Sequence, residues 1–163
     1  MAYNLKLSQM VRDQIVADEV RSPQNRAVLA REAVDNLPSS GGFEGMAYSP
    51  DRQTLYPLLE KRVVGDPENA LRIYEFDLEK QSFAEELVGS YGLEDPSHAI
   101  GDFTPINERE FLVLERDGKQ GKEAEFKKIF KLDITGVDGN GFVAKEEVAD
   151  LLNIHSGFQM SGA

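Results

Sequence analysis

The chain has 163 residues, a formal net charge of −11 and an apolar fraction of 40%. This length and apolar content predict a single domain with one ordinary hydrophobic core. The negative charge argues against nucleic acid or an anionic membrane as a partner, because the phosphates of either would repel the protein. Cysteine is absent, which excludes disulfides, a thiolate nucleophile and thiolate metal ligands. Any metal would therefore be a hard cation bound by oxygen.

The N-terminal 40 residues are predicted to form a helical or extended segment. Apolar residues have roughly helical spacing between Leu5 and Val20, and a second short helix is predicted over Ala27–Val34. The first ten residues contain no apolar run of secretory length, and no stretch of about 18 apolar residues indicates a membrane span. The sequence therefore predicts a soluble chain without an export signal and leaves its compartment unknown.

Residues 41–154 are predicted to form a β domain, followed by a tail at 155–163. Segments rich in aromatic and branched residues alternate with turn formers, which is typical of an antiparallel meander. The predicted strands are Gly45–Ser49, Thr54–Leu59, Leu71–Leu78 and Ser82–Val88. Alternation along the third strand places Tyr74 and Phe76 on the face that we expect to be buried, and Ile73 on the other face.

The β domain contains an internal repeat with a period of about 55 residues. Three stretches recur in order: Tyr48–Pro50 as Phe103–Pro105, Leu58–Lys61 as Val113–Arg116, and Arg72–Leu78 as Lys128–Ile134. A unit of this length has the size of one propeller blade, and such blades bury their faces only against neighbours. The prediction is a mainly β fold of about two antiparallel propeller-like blades, an incomplete propeller, with short N-terminal and C-terminal helices. Its open sheet edges predict self-association.

The stretch Gly42–Asp51, followed by Thr54–Glu60, closely resembles the phytase-like family known for the "esterase-like activity of phytase". Further matches follow in the same order at Arg21–Asn25, Leu71–Leu78, His98–Phe103, Phe111–Asp117 and Asp150–Ile154. The resemblance implies a β-propeller that hydrolyses phosphate or other esters, with a small-molecule ester or phosphate as substrate. It also implies a family whose members are often exported.

The resemblance further implies Ca²⁺ held by carboxylates at strand ends. There the cation would neutralise substrate phosphate and lower the pKa of an attacking water. The candidate metal ligands are Glu44, Glu60, Asp102 and Glu115. The candidate catalytic residues are Arg21 and Arg116, which would grip a phosphate, and His98, which would act as acid or base.

Structural interpretations of these candidates stay open. Glu60 and Glu115 occupy equivalent positions in the repeat, and each precedes a basic residue, which is also compatible with an ion pair at a strand end. His98 in a loop is also compatible with a structural or merely solvated histidine. A serine hydrolase is not indicated, because the Gly-x-Ser-x-Gly motif is absent and the chain has only two histidines.

A rival constellation is Gly136–Glu147, which resembles an EF-hand calcium loop. Asp138, Asn140 and Glu147 fall on its third, fifth and twelfth places. The first place is glycine rather than a carboxylate, which should weaken Ca²⁺ binding. The segment before the loop matches a strand of the repeat, whereas Ala144–Asn153 is predicted to be a helix. We therefore interpret the loop as a turn, with a weak calcium site as the alternative.

Three hypotheses follow from the sequence. The leading one is a metal-dependent hydrolase of phosphate or other esters. The second is a non-catalytic module that binds calcium or another protein. The third is a truncated product without a function of its own.

Overall fold

The computed structural model describes residues 20–154, and strands dominate this part of the chain. Within residues 20–154, helical structure is limited to α1 (Arg26–Leu29), which begins after the capping side chain of Asn25, and to one 3₁₀ turn at Gly121–Glu123. No helix within these residues has the length and apolar character needed to cross a membrane. The predicted helix Leu5–Val20 lies outside the described residues except for its last position. The second predicted helix, Ala27–Val34, is shortened to the single turn α1, because the chain turns after Leu29 and Arg31 has a positive φ of 63°.

The strands are β1 (Phe43–Tyr48), β2 (Thr54–Leu59), β3 (Ala70–Ile73), β4 (Phe76–Asp77), β5 (Ser82–Phe83), β6 (Gly89–Gly92), β7 (Ala99–Pro105), β8 (Glu110–Arg116), β9 (Lys127–Val137) and β10 (Val143–Asp150). They form two antiparallel meanders, β1-β2-β3-β6 and β7-β8-β9-β10. Strands β3 and β4 both pair with β2, at different points along it, and β5 adds to β4. The predicted mainly β fold with two propeller-like blades is thereby confirmed.

The sequence repeat corresponds to equivalent strands of the two blades. Its three matched stretches fall on β1 and β7, on β2 and β8, and on the β3–β4 region and β9. The fourth strands, β6 and β10, end the strand order of each blade. The repeat is therefore a structural unit of four strands. Self-association through open sheet edges stays a prediction.

The two blades approach each other at both ends of the strand order. At one end, a Cβ built on Gly45 in β1 would lie 2.7 Å from the Cβ of Phe103 in β7, so only glycine permits this approach. At the other end, the backbone N–H of Ser90 donates to the carbonyl of Gly141 at 2.8 Å. The sheets therefore curl around a shared interior, as in half of a barrel.

Two hydrophobic cores lie on opposite faces of the first blade. The larger core fills the space between the blades and includes Ile73. The second core contains Tyr74 and Phe76 and is covered by Val20 and Leu37 of the N-terminal segment. The predicted burial of Tyr74 and Phe76 is confirmed, but the expectation that Ile73 would lie on an unburied face was wrong. The boundary between residues 1–40 and 41–154 as separate regions stays a prediction.

Two predicted strands differ from the structure. The predicted Leu71–Leu78 strand is interrupted after Ile73, and β4 resumes at Phe76. Alternation along the chain places Leu71 and Ile73 in the larger core and Tyr74 and Phe76 in the second core. The predicted Ser82–Val88 strand is reduced to its first two residues, and β6 begins only at Gly89.

The predicted C-terminal helix at Ala144–Asn153 was wrong, because these residues form most of β10. The alanine, lysine and glutamate content favours a helix locally, but the paired backbone of β9 supplies hydrogen bonds along the whole segment. Tertiary pairing therefore overrides local helix propensity.

Candidate functional site

A carboxylate lies in the interior between the blades. Side chains along β8 alternate between half-buried and buried, so that Phe111, Val113 and Glu115 point inward. Glu115 is completely buried, with an exposed fraction of 0%. Because an isolated buried charge is costly, this position requires hydrogen-bond donors and a nearby cation.

Four donors surround the Glu115 carboxylate. Oε1 lies 2.8 Å from Nδ1 of His98 and accepts from the backbone N–H of Glu94, also at 2.8 Å. Oε2 accepts from the hydroxyl of Tyr91 at 2.5 Å and from Nζ of Lys145 at 3.2 Å. A carboxylate offers about four lone-pair sites, so these contacts use its accepting capacity. Burial, and then the hydrogen bond to the carboxylate, raise the pKa of Tyr91, which keeps its hydroxyl protonated as a donor.

Lys145 is the cation of this network. Its Nζ donates to the carbonyl of Gly92 at 2.6 Å and pairs with a carboxylate oxygen of Glu94 at 2.7 Å. The same nitrogen lies 4.6 Å from the ring centroid of Tyr91 and 4.0 Å from that of Phe130. Hydrogen bonds, an ion pair and two aromatic faces thus hold the ammonium group in a fixed position.

His98 lies between the buried carboxylate and the protein surface. Its side chain is 11% exposed, and its ring lies on Phe126 with centroids 4.2 Å apart. Within residues 20–154 the second ring nitrogen, Nε2, has no hydrogen-bond partner, and no buried side-chain nitrogen or oxygen lacks one. Nε2 is therefore the exposed nitrogen of the ring.

A cleft of about 450 Å³ opens beside His98. Its charged lining residues are Glu60, Lys61, Arg62 and Glu68, and apolar side chains complete the wall. In the described part of the chain neither Lys61 nor Arg62 forms a salt bridge; Arg62 donates only to the carbonyl of Asp66, at 3.3 Å. The lining of the cleft therefore combines His98 with two cations that have no carboxylate partner in the described residues and with two carboxylates.

The two predicted arginines do not join this site. Arg116 follows Glu115 in β8 and so lies on the opposite face of the strand, where it donates to the carbonyl of Asp117 at 3.5 Å. Arg21 donates from Nε to the carbonyl of Val34 at 2.8 Å and so ties the N-terminal segment together. None of the described contacts brings either arginine to His98.

The four predicted metal ligands are dispersed. Glu44 and Asp102 are exposed on β1 and β7, and Asp102 accepts locally from Thr104 at 3.4 Å. Glu60 lies in the cleft, and Glu115 already has four donors. Between residues 20 and 154 no three His, Asp or Glu side chains are arranged to hold a metal ion. These residues therefore do not fit a calcium site on their own, and Ca²⁺ binding stays a prediction.

The EF-hand-like segment is the hairpin turn between β9 and β10. Oδ1 of Asp138 accepts from the backbone N–H groups of Asn140 and Phe142 at 2.8 and 2.9 Å. Glu147 lies four residues into β10, roughly 13 Å along the strand from its start, and pairs with Lys128 at 2.8 Å. The interpretation as a turn is confirmed, and Glu147 does not lie beside Asp138 and Asn140 as an EF-hand ligand would.

Sequence reasoning missed Tyr91, Glu94 and Lys145. Lys145 lies two positions after buried Val143 on β10, and this two-residue spacing is a signal for an inward lysine once the segment is known to be a strand. Tyr91 is an aromatic residue between two glycines in β6, a strand that was not predicted.

The fold and site together define a two-bladed β protein in which a buried glutamate orients a histidine towards a cleft. This is an arrangement suited to moving a proton during hydrolysis. The family model Phytase-like, described as "Esterase-like activity of phytase", matches residues 4–160. The chain belongs to this family, as its sequence motifs predicted, and the family supports a phytase-like or esterase-like hydrolase. No curated protein and no solved structure gives a significant match.

Proposed function

We propose that the chain hydrolyses small anionic esters, phosphate esters above all, with His98 as general base and acid. One observation carries the proposal: Nδ1 of His98 contacts the buried carboxylate of Glu115, Nε2 has no hydrogen-bond partner among the described residues, and the His98 side chain lines the cleft. A carboxylate on Nδ1 fixes the tautomer that carries its proton there, which leaves the Nε2 lone pair free to accept a proton. Family membership supports ester hydrolysis as the reaction class.

The proposed step needs no co-reactant besides water. A water molecule in the cleft gives a proton to Nε2 of His98 while its oxygen attacks the phosphorus or the carbonyl carbon of the ester. The bond to the leaving oxygen breaks, and that oxygen takes the proton back from Nε2. The products are the free acid and the alcohol. Positioned groups of this kind typically contribute about 10²- to 10⁴-fold in rate.

Lys61 and Arg62 are proposed to bind the anionic part of the substrate. The chain carries a net charge of −11, so an anion needs local cations to approach it. Both side chains line the cleft without a carboxylate partner in the described residues. An arginine can also grip a phosphate or carboxylate with two parallel hydrogen bonds.

Metal dependence is a separate part of the proposal. It is motivated by the family resemblance, and the described residues do not supply a three-ligand group for it. Each activity assay should therefore be run with added Ca²⁺ and with a chelator. Turnover that survives the chelator would contradict metal dependence and leave the role of His98 intact.

The test compares the hydrolysis rates of the parent and of His98→Asn on three substrates. These are an aryl phosphate monoester, a bis-aryl phosphate diester and the aryl ester of a carboxylic acid. Asparagine can still donate to Glu115 but lacks the distal nitrogen, so kcat should fall by about 100-fold or more. His155→Asn, which changes the only other histidine, is the matched control and should keep parental turnover. Equal turnover by parent and His98→Asn, or no turnover by the parent, would overturn the proposal. Calcium-dependent stabilisation without turnover would favour a binding module.

A further inference from the structure

We infer that the cleft beside His98 selects ligands that join one anionic group to an apolar group, such as an aryl phosphoryl or aryl carboxylate compound. The inference deepens the proposed function and rests on it for the reaction, because it names the class of ester that the same cleft would take. It concerns binding, so it can be tested without turnover. Three features support it: an apolar wall, a balanced set of charges and a lysine held in place by backbone contact.

An apolar wall forms one part of the cleft. Five of the ten described residues that line the cleft belong to this wall: Pro38, Val64, Leu71, Leu93 and Pro96. Leu71 and Leu93 are buried members of the larger core, so this part of the lining is the surface of a packed interior. Val64 is 72% exposed, and a ligand that covers it would remove apolar area from water. Such a wall favours a ligand with an apolar group.

The charges of the described lining residues are balanced. Lys61 and Arg62 are matched in number by the carboxylates of Glu60 and Glu68, and the whole chain has a net charge of −11. One anionic group can contact the two cations. A ligand with several phosphates would place its further charges near the two carboxylates, where like charges repel each other. The cleft should therefore bind a ligand with one anionic group in preference to a polyanion.

Backbone contact holds the stem of Lys61 at the cleft. A Cβ built on Gly41 would lie 2.6 Å from Cβ of Lys61 and 2.5 Å from its Cγ, which is closer than real side chains approach. Only glycine therefore permits this packing. The same added Cβ would lie 3.3 Å from Cγ of Pro38, which also lines the cleft. Residues 38–41 of the N-terminal segment thus act as a positioning element for one of the two cations.

The experiment titrates the protein with phenylphosphonate, methylphosphonate and tripolyphosphate by calorimetry, with a chelator present. The two phosphonates share one anionic group and differ in the apolar part. Their carbon–phosphorus bond is not an ester bond, so binding is measured without hydrolysis. Phenylphosphonate should bind about tenfold more tightly than methylphosphonate, and also more tightly than tripolyphosphate.

A pair of valine variants tests the wall. Val64→Ser should weaken the binding of phenylphosphonate by about threefold or more and leave that of methylphosphonate unchanged. Val34→Ser is the matched control, because Val34 is 76% exposed and lies outside the cleft lining. It should change neither affinity.

Further variants test the cations. Arg62→Gln should weaken the binding of both phosphonates by about tenfold, because the guanidinium group can no longer pair with the anion. Gly41→Ala should also weaken both, because it displaces the stem of Lys61. Gly42→Ala, whose added Cβ meets nothing within 4 Å in the described part of the chain, should bind like the parent. If Gly41→Ala does not fold, Lys61→Met removes the charge, keeps most of the stem and should give the same loss.

Several results would overturn the inference: no binding of phenylphosphonate, equal binding of the two phosphonates, tighter binding of tripolyphosphate, or parental affinities in the variants expected to lose them. If the phosphonates bind with the expected selectivity but the parent hydrolyses no ester, the proposed function fails and the binding site stands. If the parent hydrolyses esters while the phosphonates bind without selectivity, the inference fails and the proposed function stands.

Discussion

Replacing Glu115 by glutamine tests whether the buried network is held by charge. The substitution keeps the size of the side chain and turns one of its two accepting oxygens into a donating NH₂ group. That group would face two donors, either His98 and the backbone N–H of Glu94 or Tyr91 and Lys145. Whichever orientation is chosen, at least one buried donor loses its acceptor.

The magnitude follows from these contacts. A hydrogen bond to a charged group is worth about 1.5–3 kcal/mol, and a buried donor without an acceptor costs about 1–3 kcal/mol. Removing one partner of a buried ion pair costs about 3–5 kcal/mol in total. We therefore expect Glu115→Gln to lower the free energy of unfolding by about 3–5 kcal/mol. For a chain of 163 residues this corresponds to a fall in Tm of roughly 10 °C.

The assay is urea unfolding followed by circular dichroism, with Glu147→Gln as the matched control. Glu147 also pairs with a lysine of the same sheet, at 2.8 Å, but its side chain is 46% exposed. Exposed ion pairs contribute little because water screens them, so the control should unfold with the parent. A Glu115→Gln midpoint within error of the control would refute the reasoning, because the carboxylate charge would then carry no stabilisation.

Two further predictions concern packing and pH. Gly45→Ala should destabilise the protein by about 1–3 kcal/mol in urea, because the added Cβ would lie 2.7 Å from that of Phe103. Gly42→Ala, which meets nothing within 4 Å, should be neutral, and equal effects would contradict the close contact between blades. Lys127 lowers the pKa of Asp117 from 3.8 to about 2. Asp117→Asn should therefore lower the free energy of unfolding. The difference between parent and variant should have its full size above about pH 4 and disappear as the pH falls through 2. A difference between parent and variant that stays constant from pH 7 to pH 2 would contradict this coupling.

Much of the fold was predictable because each blade is a local meander. The signals for the strands and turns are local: polar and apolar residues alternate within segments such as Phe111–Arg116, and turn-forming residues separate neighbouring strands. The repeat shows that the same pattern is used twice. What was not predictable depends on distant partners. Ala144–Asp150 has the composition of a helix and becomes a strand because β9 is available beside it.

The candidate site was predictable only in part. His98 and Glu115 were identified as chemically capable residues, but the resemblance assigned Glu115 to a metal. Its burial and its four donors depend on how β6, β10 and the 93–98 connection meet in space. No local pattern indicates that Lys145, 30 positions later, contacts the same carboxylate.

The wide sequence spacing of these donors has a consequence for the order of folding. Each meander can form from neighbouring segments, but Glu115 needs Tyr91, 24 positions earlier, and Lys145, 30 positions later, before its charge can leave water. The second blade alone would hold this carboxylate at an apolar face without the tyrosine. The interior should therefore lose its water only after both blades have met. A collapsed chain with the blades in a wrong register would bury the Glu115 carboxylate without its partners, which is unfavourable.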